Sequence, residues 1–206
     1  MTKEIDMEDR QSLKVWLFNP FHYVAGGAAL AVGLPVIIVA SLNGSLSSSH
    51  FDGVLDFHTG LGMPLWFYAV EGPFDWLVMS VLLLAAGWLI SKSRIRVIDV
   101  FGTQALARTP TLVTALVAML PGYQRQAARL AVLNMDAHSP DLAAFITVCI
   151  VTVAMILWMV VLMYRAFVVS CNVRGGKAIV IFVIMLLAGE AISKMVLMTL
   201  LQVVLR

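Results

Sequence analysis

The sequence predicts an all-α, polytopic membrane protein, and three observations carry that expectation. Of the 206 residues, 61% are hydrophobic and 13% charged, whereas soluble domains carry roughly 25% charged residues. The mean hydropathy is +0.93. The apolar residues are gathered into long runs, and a helix rising ~1.5 Å per residue needs about 20 of them to cross a hydrocarbon layer of ~30 Å. Little chain is left over for a soluble domain. A net charge of +2, scattered along the chain, excludes a nucleic-acid partner of the usual basic kind.

Residues 1–20 form a polar, acidic N-terminal tail, and 21–206 form a single transmembrane domain. The tail lacks the basic start, short apolar stretch and small-residue cleavage site of a signal peptide, so the first span is expected to direct insertion. That span covers 23–42. Trp16, Phe18, Phe21 and Tyr23 precede it as an interfacial aromatic belt. Within it Ala25, Ala29 and Gly33 recur every four residues, which lets a neighbouring helix approach closely, and Pro35 is expected to kink it. Further spans are expected at about 74–90, 101–120, 142–169 and 179–205. The third is the weakest, because Gln104, Arg108 and Pro110 interrupt it.

Five spans with a cytoplasmic N-terminus put ten basic residues inside (Lys3, Arg10, Lys14, Lys92, Arg94, Arg96, Arg108, Arg165, Arg174, Lys177) and three outside (Arg125, Arg129, Arg206). Four spans plus a re-entrant third segment exchange two sets of three and leave the same ten-to-three ratio. Charge counting therefore orients the first two spans and leaves both arrangements open.

The segment 43–75 contains no Lys or Arg and is rich in Gly, Ser and aromatic residues. It is expected to lie in the outer interface as a hydrated, partly helical stretch. His50, His58, Asp52 and Asp56 fall within it, but their spacing matches no defined metal-ligand pattern, so no metal is assigned. The sequon Asn43-Gly44-Ser45 abuts the first span and carries no weight.

Few charged residues interrupt the spans, and these are the candidates for function. Glu190 and Lys194 stand four apart and share a helix face. An ionisable group at mid-membrane costs on the order of 2.5–3.5 kcal/mol on insertion scales, so the two are expected either to pair as a packing device or to line a polar path. Arg108 and Arg165 are expected to snorkel to the cytoplasmic interface, with Asp99, Glu190 or a lipid headgroup as alternative partners. Met155, Met159 and Met163 form a stripe expected to pack flexibly. Cys149 and Cys171 are expected to be packing residues without a disulfide. Phosphate-binding loops, zinc-protease spacing, nucleophile elbows and dinucleotide fingerprints are missing from the sequence, so neither an enzyme nor a cofactor is expected.

The basic turn at 91–96 leads through Asp99-Val100-Phe101-Gly102-Thr103-Gln104 to Ala-Leu-Ala-Arg-Thr-Pro110, with a break expected at Gly102-Thr103. A long span ends at Met163-Tyr164-Arg165-Ala166, and a Gly-Gly-Lys turn at 175–177 precedes the last span. Together these features resemble the Yip1 family over most of the chain. The resemblance implies five spans and a cytoplasmic N-terminus. Eukaryotic members are associated with endoplasmic-reticulum and Golgi vesicle traffic and with Rab-type GTPases, through a tail much longer than the roughly 20 residues here. GTPase binding is accordingly not carried over, and the short tail looks most like a bacterial inner-membrane member. The expected partners are membrane lipids, a second copy of the chain or other membrane proteins. The competing expectation is a small transporter or channel using Glu190, Lys194 and Arg108.

Overall fold

The computed structural model describes residues 13–132 and 139–204; Lys3, Arg10 and Arg206 of the charge count lie outside them. The architecture is all-α. A short helix α1 (Leu13–Phe18) and a 3₁₀ turn (Pro20–His22) lead into α2 (Gly26–Ser47). A two-residue antiparallel hairpin follows, β1 (Ser49–His50) with β2 (His58–Thr59), in register Ser49 to Thr59 and His50 to His58. Then come α3 (Leu65–Ile90), α4 (Val97–Ala107), α5 (Pro110–Ala118), α6 (Pro121–Ala131), α7 (Leu142–Ser170) and α8 (Gly176–Val204). Four of these, α2, α3, α7 and α8, are long and apolar enough to cross a membrane individually.

The boundaries follow local chemistry. α2 stops where Ser48 turns left-handed at φ 50°, and α7 is followed by Asn172 at φ 49° and Gly175 at φ 81°, conformations that Asn and Gly adopt most readily. Pro110 and Pro121 open α5 and α6, where the missing N–H would have had no helical partner anyway. Three expectations need correction. α3 begins at Leu65 rather than near 74 and runs through Pro73. Gly102 and Thr103 lie inside α4, and the break falls at Arg108 and Thr109 instead. The close-packed face of α2 is Gly26, Ala29, Gly33, Ala40 and Gly44, while Ala25 is exposed.

That face meets α4 and α5 along its length. A Cβ on Gly102 would strike the Gly26 carbonyl, and one on Gly33 would strike the Ala105 backbone. Ala40 and Ala115 share one packing cluster with Phe51. The segment Val97–Ala118 thus runs parallel to α2, from the end holding Gly26 to the end holding the hairpin. At Ala118 the chain bends by 83° into α6, whose Tyr123 hydroxyl lies 2.9 Å from the Thr59 hydroxyl of the hairpin. A re-entrant third segment would have returned the chain to the Gly26 end; this one does not. The bundle is therefore traversed five times, and the fourth and fifth passes (α7, α8) run antiparallel.

Polarity is inverted relative to a soluble globule. Leu89 is 85% exposed and Met195 69%, whereas Glu71 and Asp75 are fully buried. Apolar side chains facing outward and ionisable ones facing inward are what a hydrocarbon solvent selects. The chain is a multi-pass membrane protein.

Candidate functional site

Two connected groups of ionisable residues occupy the half of the bundle nearest the hairpin. The deeper one is built on three helices. Asp75 on α3, Arg108 between α4 and α5, and Glu190 on α8 face one another, with Ser193 beside Asp75 and Glu71 one turn above it. Arg108 is 3% exposed and lies more than 4 Å from any carboxylate among the described residues, with one guanidinium nitrogen making no hydrogen bond; neither Asp75 oxygen makes one either. A cavity of about 20 Å³, lined by Arg108, Asp56 and Thr111 among others, is the size of a single water. The expectation that Arg108 snorkels is overturned, because the break at 108–109 turns it into the bundle.

The second group is carried by the loop 48–64, expected to be a hydrated interfacial stretch. It folds into the mouth of the bundle instead. Phe51, Asp52 and Val54 are all at least nine-tenths buried. Glu190 accepts the Leu55 backbone N–H at 2.7 Å, and a Cβ on Gly53 would lie 2.5 Å from Glu190 Oε1, so a larger residue there would push the Glu190 carboxylate aside. Lys194 pairs with Asp56. The expected Glu190–Lys194 ion pair is therefore not formed; each residue ties a different point of the loop to α8.

His50 anchors the hairpin itself. Its Nδ1 lies 2.7 Å from Glu71 Oε1 and its Nε2 2.8 Å from the Leu61 carbonyl, so both nitrogens face acceptors, and its ring stacks on Tyr68 at 4.8 Å. Burial works to lower its pKa, but Glu71, with the Leu61 carbonyl and Asp52, outweighs it and the net direction is up. His58 lies 3.4 Å from Asp52 Oδ1 and 4.0 Å from Asp56 Oδ1. The Asp52 carboxylate raises the His58 pKa against burial. Burial pushes Asp52 up, and the His58 contact with the nearby cations brings it below its ordinary value.

The remaining candidates lie elsewhere. Asp99 sits 3.7 Å from Arg96 at the opposite end, not against Arg108. Arg165 is exposed on the last turns of α7, as snorkelling requires. Gly102 packs on α2, Thr103 donates to the Asp99 carbonyl at 2.7 Å, and Pro110 starts α5; these are packing roles. Met159 and Met163 are core residues. Cys149 is exposed and Cys171 buried, with no disulfide between them. Glu71 lies before the expected 74–90 run, and Asp75 is the second residue of that run, at its edge. Two acids four residues apart, inside a stretch that stays apolar back to Leu65, were the available signal.

No protein-family model matches the chain, and no curated protein or solved structure matches it.

Proposed function

We propose that the chain is a non-enzymatic membrane protein of the Yip1 type, with its N-terminus in the cytoplasm of a bacterial cell and its helices in the inner membrane, working through contacts with lipids or other membrane proteins. The observation that carries this reading is the basic end of the bundle. The 91–96 turn and the turn after α7 meet there, joined by a hydrogen bond from the Asn172 side chain to Ser93 Oγ at 2.7 Å. Between them lies an open cavity of about 320 Å³ lined by Ser91, Lys92, Ser93, Arg174 and Lys177 among others. Such a cluster attracts anionic headgroups at about 1 kcal/mol per basic residue. At the hairpin end, by contrast, Arg125 is held bidentately by Asp141 at 2.6 and 3.0 Å, which leaves less free positive charge there. The asymmetry fits the positive-inside rule.

A lipid-retention measurement tests it. The purified protein is expected to keep an anionic phospholipid in preference to a zwitterionic one in native mass spectrometry. The triple substitution Lys92→Gln, Arg174→Gln, Lys177→Gln should abolish the preference; equal retention by both forms would refute the reading.

A second reading, transport along a polar path, has the buried Asp75–Arg108–Glu190 group in its favour. Against it stand Met79, Leu83, Met163, Phe167 and Phe182, a buried apolar layer between those charges and the basic end. The transport reading requires a flux in proteoliposomes that Glu190→Gln abolishes while the protein stays folded.

A further inference from the structure

We propose that Asp52, Asp56 and His58 form a binding site for a divalent transition-metal cation such as Zn²⁺ at the hairpin end of the bundle. The site does not depend on the reading of the basic end. Its donors are two carboxylates and one imidazole, each offering an atom within 4.8 Å of the others. Donors about 2.0–2.2 Å from one zinc ion lie about 3.4 Å apart in a tetrahedral arrangement. The His58 to Asp52 separation is already 3.4 Å and the His58 to Asp56 separation 4.0 Å, so closing the set onto one ion requires the Asp56 carboxylate to move toward the other two donors.

A separate observation points to a cation here. Asp52 is 7% exposed, and its Oδ1, the oxygen turned toward His58, accepts no hydrogen bond. With no partner beyond the loose 3.4 Å approach of His58 Nδ1, this buried carboxylate oxygen carries a desolvation cost that a metal ion would offset. Next to it, a cavity of about 70 Å³ bordered by Asp52, His58, His50 and Glu71 has room for waters to complete the coordination. His50 is not a ligand, because both of its nitrogens are occupied by Glu71 and Leu61; it holds the strand opposite His58 in register.

Lys194 is the competitor. Its ammonium pairs with Asp56 Oδ2, while the oxygen turned toward His58 is Oδ1, so it competes with a divalent ion through its charge beside the same carboxylate. The mixed oxygen and nitrogen donor set suits Zn²⁺, Co²⁺ or Mn²⁺ better than Ca²⁺, which takes oxygen ligands.

The test is a Zn²⁺ titration of the untagged full chain in detergent by isothermal calorimetry, repeated with Co²⁺ to read its visible absorption. One equivalent should bind. His58→Gln, at a half-exposed position, should weaken binding at least tenfold while leaving the unfolding temperature without metal unchanged. Lys194→Met should tighten it by removing the competing cation, and the paired change His22→Gln, His138→Gln should leave it as it was. The proposal is overturned if the wild-type chain binds no Zn²⁺, if His58→Gln binds as well as wild type, or if binding is lost with His22 and His138.

Discussion

Arg108 is buried facing Asp75 and Glu190 without a contact inside 4 Å, and its removal takes a positive charge away from both. Breaking a close buried ion pair costs about 3–5 kcal/mol, so with this looser spacing Arg108→Gln should lower stability by less than that in detergent unfolding. Adding Asp75→Asn should recover part of the loss, because the neutralised acid no longer needs a cation; a double mutant that falls by the plain sum of both singles would deny the coupling. His50 makes a pH-dependent contribution. The groups facing it are Glu71 and Tyr68 on α3, with Asp52 and His58 in its own loop. Its folded pKa lies above the ordinary histidine value of about 6.5. The stabilisation is therefore complete below about 6.5 and fades as pH rises through the folded pKa. Hydrogen exchange of the 48–64 loop, corrected for intrinsic rates, should show protection falling over that interval, and His50→Gln should remove the dependence.

α2 and α4 can approach as closely as they do only because Gly33 and Gly102 present no side chain to the facing backbone. Gly33→Val should destabilise by about 1–3 kcal/mol or more, the range for overpacking, because the obstacle is backbone and cannot rotate away. Gly27→Ala is the matched control. Nothing lies within 4 Å of its added methyl, and it should be neutral or slightly stabilising through the unfolded chain. Four of the five expected runs, 23–42, 101–120, 142–169 and 179–205, land within a few residues of observed helices, since a run of about 20 apolar residues signals a span wherever it starts. The second run, expected at 74–90, extends back to Leu65 through Glu71 and Pro73, residues that interrupt the apolar pattern. Glu71 is met by His50, and Asp75 faces Arg108, partners distant in sequence. The loop misreading has the same root. Its burial depends on Glu190 and Lys194, some 135 residues away, and a local pattern cannot display a contact at that separation.

Across the bundle, apolar residues face outward, charges converge toward the hairpin end, and free positive charge collects at the other. Glu190, Lys194 and Arg108 gather at that end, Glu190 and Lys194 on the loop and Arg108 facing Asp75 and Glu190. Asp99 and Arg165 belong to the far end. This arrangement requires Val97–Ala118 to carry the chain from the basic end to the hairpin end, which charge counting alone could not decide. Site-directed labelling in intact cells settles it. In a Cys149→Ser, Cys171→Ala background, Ser93→Cys and Ala128→Cys place single thiols at exposed positions before and after that segment. A membrane-impermeant maleimide should label Ala128→Cys from outside and reach Ser93→Cys only after the cells are permeabilised. Labelling of both from the same side would contradict the five-pass bundle.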